Sequence, residues 1–213
     1  MSNVYIIGLG MIRFNKYPDR GVRDMAHEVI RLALADAGLE KKAIEASFFS
    51  NTFWGMFANQ HSIRGQVVLR SMGIDAIAVT NVENACAGAS TALHLAYTGI
   101  RAGMYDVALA VGSEKITDPD KMKSLSAYAT CMDVEKFGEQ LQMMEKAVTM
   151  FPVDIPAGQT PPGEGRSIFM DAYAMGARWH MNRFGSTQRQ LAVICAKNHF
   201  HGSLNPMSQY QQD

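Results

Sequence analysis

Cys86 stands in the segment Asn84-Ala85-Cys86-Ala87-Gly88-Ala89-Ser90, with small residues on both sides. Small neighbours permit a sharp turn and leave the sulfur uncrowded. An apolar run, Ile77 to Val82, precedes it and a helical pattern follows, which places the thiol at a strand-to-helix turn. A cysteine at a helix N-terminus feels the positive end of the helix dipole, which favours the thiolate. The unpaired N–H groups at such a terminus could hold the oxyanion that forms when a thioester is attacked. This is acyl-transfer chemistry, although the serine form G-x-S-x-G is absent. Local context leaves a second reading open, a small buried cysteine at a tight packing point.

The remaining reactive residues carry weaker patterns. Gly8-Leu9-Gly10 follows an apolar run, but a dinucleotide fingerprint needs a third glycine where Arg13 stands and a helix that begins at once. The helix signal starts only near Val22, so a simple turn is expected. His94 lies eight residues beyond Cys86, more than two helical turns away, and reads as an ordinary helix histidine. His199 and His201 do not share a helix face, so no metal site is expected, and His61 and His180 have no supporting motif. Cys131 and Cys195 stand far from Cys86 and from each other, with no CxxC pair, which indicates neither a zinc ribbon nor a disulfide framework.

The elements that must position Cys86 alternate in kind. Val4 to Gly8, Ser47 to Ser50, Ile77 to Val82 and Asp106 to Gly112 read as short buried strands. Val22 to Gly38 reads as a helix, with Val22, Met25, Ala26, Val29, Ile30, Ala33, Leu34 and Ala37 at spacings of three and four. Further helices are expected over Ile63 to Met72 and Ala89 to Ala102, stopped by Gly73 and Gly103. Strands separated by single helices imply parallel pairing with helices on both faces of the sheet. From Ile116 to about Met181 the pattern becomes irregular, with turn clusters at Asp118-Pro119-Asp120 and Pro161-Pro162-Gly163. Eight of the 15 Met lie there, which points to an excursion of loops and short helices. A helix signal resumes after Ser186, with Thr187 as cap and Leu191, Ile194, Cys195 and His199 along one face.

Composition narrows the class. The 213 residues carry 20 Lys+Arg against 20 Asp+Glu, and 47% are hydrophobic. Zero net charge offers no basic excess for nucleic acid or anionic membrane. Val4 to Leu9 is too short for a signal-peptide core or a membrane span, so a soluble protein in a reducing compartment is expected, cytoplasmic or, in a eukaryote, alternatively peroxisomal.

Two long segments resemble a known family. Asn81-Val82-Glu83-Asn84-Ala85-Cys86-Ala87-Gly88-Ala89-Ser90 and Asp106-Val107-Ala108-Leu109-Ala110-Val111-Gly112-Ser113-Glu114-Lys115 are similar to the nucleophile region of thiolases. The opening Val4 to Phe14, and Lys197-Asn198-His199 through Asn205-Pro206-Met207-Ser208-Gln209-Tyr210, resemble the sterol-carrier-protein-x and lipid-transfer-protein branch. The resemblance implies a layered α/β thiolase fold, with a mixed sheet, and an acetyl-CoA acetyltransferase-like activity. Cys86 would be the nucleophile that becomes an acyl-enzyme, with Asn84 and Gly88 supporting it. Coenzyme A or acyl-CoA would be substrate, with no covalently held cofactor and no metal. It implies three regions: residues 1–115 as the core carrying the nucleophile, 116–181 as an inserted lid near the CoA and acyl chain, and 182–213 as a returning helix. A homodimer or homotetramer is implied, or a partner chain supplying the remainder. The methionines of 116–181 would either line an adaptable acyl site or simply fill a core.

The departure from the family is as informative. A working thiolase has a second half-fold bringing a Gly-His motif, an Asn-containing loop and a second cysteine, and none of these motifs occurs here. The last strand expected of the first sheet is missing too, and no base for Cys86 is visible. Three readings follow: thiolase-type acyl transfer, a retro-aldolase acting on a β-hydroxyacyl-CoA, and a non-catalytic acyl-CoA or lipid-binding subunit needing a partner.

Overall fold

A computed structural model describes residues 3–150 and 168–212, so the Pro161-Pro162-Gly163 turn lies outside the described residues. The chain divides into two compact units, Met1–Ala127 and Tyr128–Asp213.

In the first unit the helix expected from Val22 is α1 (Val22–Ala37), and Gly38 ends it in the left-handed conformation at φ 65°. Strand β1 (Ala46–Ser50) follows, then the short α2 (Trp54–Ala58), α3 (Arg64–Arg70), β2 (Ala78–Val82), α4 (Gly88–Arg101) and β3 (Ala108–Gly112). β1 is central, and both β2 and β3 pair with it in parallel, placing Phe49 opposite Asn81 and Val111. Among the described residues no antiparallel strand joins this sheet, so the partner that would make it mixed is not among them.

All five residues of β1 are buried, because helices cover both faces of the central strand. Successive side chains alternate between those faces. Phe49 packs with Val111, Val22, Ala26, Ile30, Val68 and Leu69 on the side of α1 and α3. Phe48 and Ala46 pack with Val82, Ala92 and Ala96 on the side of α4. Each buried phenylalanine contributes about 2 kcal/mol of transfer free energy. The small residues of α4 let it approach the sheet closely.

Val4 to Gly8 forms no strand, against the expectation from its apolar run. A strand needs a ladder partner, and here a cavity of about 720 Å³ separates residues 4–10 from β3. The segment lies instead along α1. A Cβ on Gly10 would stand 2.0 Å from the Val29 carbonyl oxygen, and one on Gly8 2.3 Å from that of Ala33. The two glycines are therefore a close approach to a helix backbone, and the Leu9 N–H donates to the Asp36 carboxylate at 2.8 Å.

Beyond β3, α5 spans Lys121–Ala129. The second unit holds α6 (Phe137–Met150), α7 (Ile168–Phe184) and α8 (Gln188–Ser203). Helices of 14 and 17 residues replace the expected loops and short helices. Gly138 and Gly176 interrupt their patterns, and Met and Ala blur the apolar stripe, so periodicity understates them. Met122, Met143, Met150 and Met170 are exposed, so core filling does not account for these four. α8 begins where expected: Thr187 accepts from the Gln190 N–H while the Gln190 side chain accepts from the Thr187 N–H, a reciprocal cap. Leu191, Ile194, Cys195 and His199 of this helix are all exposed. No helix among the described residues is long and apolar enough to cross a membrane.

Candidate active site

Parallel strands all point their C-terminal ends to one edge of the sheet, and loops from several strands meet there. β1 ends at Ser50, β2 at Val82 and β3 at Gly112, and the N-terminus of α4 is brought to the same edge. A Cβ on Gly88 would stand 2.3 Å from the Ser50 hydroxyl, and one on Gly112 3.2 Å from the Ala89 Cβ. The absence of a Cβ at Gly88 thus lets α4 start directly over the end of β1.

Cys86 lies between β2 and α4, in a single 3₁₀ turn over Ala85–Ala87, and is exposed. The alternative of a buried packing cysteine does not fit this placement. Ala85 adopts φ 43°, a left-handed conformation that costs an L-residue about 1–2 kcal/mol. Asn84 clamps the turn to the helix: its Nδ2 donates to the Thr91 hydroxyl at 2.9 Å, and that hydroxyl donates to the Ala87 carbonyl at 3.0 Å.

The amides of the turn are largely engaged with one another. The Ala87 N–H donates to the Asn84 carbonyl at 2.9 Å, and the Gly88 N–H to that of Ala85. The Ala85 N–H donates to the Glu83 carboxylate at 2.6 Å. Those three N–H groups are therefore not the open oxyanion donors that a bare helix terminus would offer.

A polar network that the sequence reading did not single out lies beside the turn. Glu114, two residues past β3, accepts from the Thr52 N–H at 2.7 Å, the Asn51 side chain at 3.0 Å and the Phe53 N–H at 3.2 Å. Asn51 is buried, and its Oδ1 accepts from the Trp54 N–H at 3.0 Å and from Arg64 at 2.9 Å. Arg64 also donates to the Asn51 carbonyl. The Thr52 hydroxyl donates to Glu83 at 3.3 Å, joining this network to the cysteine turn. Two acidic residues at the C-terminal ends of parallel strands were the available signal, since a carboxylate there needs donors from neighbouring loops.

His94 is exposed on α4. His180 bonds Ser186 at 2.7 Å, and His199 stacks on Tyr210 at 5.6 Å. Cys131 and Cys195 are exposed in the second unit, and no group of metal-ligating side chains occurs among the described residues.

The family described as "Thiolase, N-terminal domain" matches residues 4–212. The chain belongs to this family. As a thiolase N-terminal domain it is 31% identical to the acetyl-CoA acetyltransferase of Methanothermobacter thermautotrophicus, over 99% of this chain and 48% of that protein. It is 29% identical to sterol carrier protein 2 of Bos taurus, over 100% of this chain and 35% of that protein. Non-specific lipid-transfer protein-like 2 of Caenorhabditis elegans is also 29% identical, over 99% and 47%. The domain thus spans between about a third and a half of these relatives' lengths. Among solved structures, the Ltp2-ChsH2(DUF35) aldolase aligns with 96% of this chain and 44% of its own at a TM-score of 0.58 and 21% identity, which shows the shared fold.

Proposed function

We propose that this thiolase N-terminal domain contributes the nucleophile of a thiolase-type C-acyltransferase. The observation that carries this is an exposed Cys86 on a strained turn at the C-terminal edge of a parallel sheet, in a chain matched along residues 4–212. Asn84 and Gly88 hold the turn against α4 and β1. In the reaction the Cys86 thiolate attacks the thioester carbonyl, the C–S bond to coenzyme A breaks, and the acyl group rests on Cys86 while CoA leaves as thiolate. In synthesis the deprotonated α-carbon of a second acyl-CoA then takes the acyl group from Cys86. In degradation Cys86 instead attacks the β-keto carbonyl of a 3-oxoacyl-CoA, the Cα–Cβ bond breaks, the released acyl-CoA carbanion is protonated, and a CoA thiolate takes the acyl group from Cys86. The proton of the Cys86 thiol goes to a base supplied by the part of the protein that the relatives have and these residues do not span. That part comes from a longer chain or from a partner chain.

Acetyl-CoA incubated with the protein made from its complete reading frame, followed by intact and peptide mass analysis, tests the reading. An acetyl adduct mapped to Cys86 and lost in Cys86→Ala is expected. An unmodified Cys86 in the complete protein overturns it.

A second reading is carbon–carbon cleavage of a β-hydroxyacyl-CoA, favoured by the aldolase among the structures of the same fold. It requires no acyl-cysteine. Cleavage activity persisting in Cys86→Ala would select it over acyl transfer.

A further inference from the structure

Glu83 directly follows β2, two residues before the 3₁₀ turn begins, and its carboxylate does two things at one oxygen. That oxygen accepts from the Ala85 N–H at 2.6 Å and from the Thr52 hydroxyl at 3.3 Å. Ala85 is the residue whose left-handed backbone sets the direction in which the chain enters Cys86. No sheet or helix bond holds the Ala85 amide, since Ala85 is the first residue of the 3₁₀ turn and follows β2. Thr52 is itself fixed, because its N–H donates to Glu114, which also accepts from the Asn51 side chain. The Asn51 N–H donates to the Val82 carbonyl at 3.3 Å, so the loop after β1 is tied to the end of β2 as well.

We propose that Glu83 is a positioning residue for Cys86, acting as a backbone strut. Its carboxylate captures the Ala85 N–H and holds the left-handed turn, and Thr52 and Glu114 brace it from the neighbouring loops. This rests on the acyl-transfer reading of Cys86. A nucleophile must meet a carbonyl within a narrow range of distance and angle, so loss of the strut slows attack without removing the substrate's own contacts. Hydrogen bonding, not charge, is the operative property, since an amide oxygen at the same place accepts the same N–H.

The experiment follows the acylation of Cys86 by acetyl-CoA in the protein from its complete reading frame, at a series of concentrations. Glu83→Ala is expected to lower the rate constant at saturation by about tenfold or more, with the half-saturating concentration changed by less than about threefold. Glu83→Gln is expected to recover most of that loss. Thr52→Val, which removes the brace and keeps the strut, is expected to fall between them. Glu83→Ala acylating at the parental rate overturns the proposal, and so does Glu83→Gln acylating as slowly as Glu83→Ala. If the parent takes no acyl group on Cys86, the acyl-transfer reading fails, and amide hydrogen exchange decides the strut by itself. Faster exchange at Ala85 in Glu83→Ala, restored in Glu83→Gln, upholds it; parental exchange in Glu83→Ala refutes it. Should Glu83→Ala not fold, Glu83→Met, which keeps the side chain's length without a carboxyl acceptor, carries the same comparisons.

Discussion

Asp118 precedes α5, and its carboxyl is held below its ordinary value of 3.8. The larger cause is the hydrogen bond from the Asp120 N–H at 2.9 Å, followed by Lys123 at 3.2 Å. A carboxyl lowered by folding stabilises the fold at pH above its ordinary range, and that contribution disappears as pH falls through its folded value. Carboxyl carbon NMR should show Asp118 titrating below 3.8, with Lys123→Ala moving it only part of the way back. Ser47 presents a different residue-scale case. It is 1% exposed on the central strand, and its hydroxyl has no hydrogen-bond partner among the described residues. A buried hydroxyl without a partner loses its hydration and gains nothing, so Ser47→Ala is expected to stabilise by about 1 kcal/mol in denaturant unfolding. Cys86 and its small neighbours were legible at this scale from residue types alone. Glu83, Glu114 and Thr52 were not, because what makes them matter is a meeting of loops separated by 31 and 62 residues.

At the scale of elements, strong apolar periodicity carried through. α1, α3, α4 and all three described strands fall within a residue or two of where spacing and glycine stops place them. The two misreadings have separate physical causes. Residues 4–8 have the composition of a strand, but strand formation depends on an edge to pair with, which composition does not contain. α6 and α7 are long helices whose Met, Ala and Gly content weakens the stripe on which periodicity depends. Glycine also has an element-scale role in packing α3. A Cβ on Gly65 would stand 2.7 Å from the Phe49 Cβ and 2.9 Å from a Val79 methyl, both in the core. Gly65→Ala should therefore force α3 away from the sheet and destabilise by about 1–3 kcal/mol, read as a lower unfolding midpoint. The Gly65 amide bond to Asn81 at 2.7 Å should lose exchange protection with it.

On the scale of the molecule, zero net charge remains uninformative and length becomes the decisive number. The 213 residues fit a soluble domain by size, yet they span 48% and 35% of two relatives matched along nearly the whole chain. The first unit leaves Tyr5, Ile6, Ile7 and Leu9 between 56% and 72% exposed, beside the cavity that separates them from β3. An open strand edge next to apolar surface favours association. These 213 residues expressed by themselves should elute above their 23.4 kDa mass in light-scattering chromatography and bind a hydrophobic dye. A monodisperse monomer that binds none would show the exposed surface to be tolerated. The sequence by itself determined the thiolase N-terminal family, through long segments that resemble that family's, and, through local spacing and side-chain size, the helices and strands from Val22 to Gly112 and the cysteine at a strand-to-helix turn. Tertiary structure decided that the N-terminal segment packs on α1 without becoming a strand, that the Ala85, Ala87 and Gly88 amides are engaged, and that Glu83 and Glu114 bracket the turn. Those depend on which backbone groups from distant parts of the chain arrive at one sheet edge, and hydrogen-bond partners across such distances leave no periodic mark in a sequence.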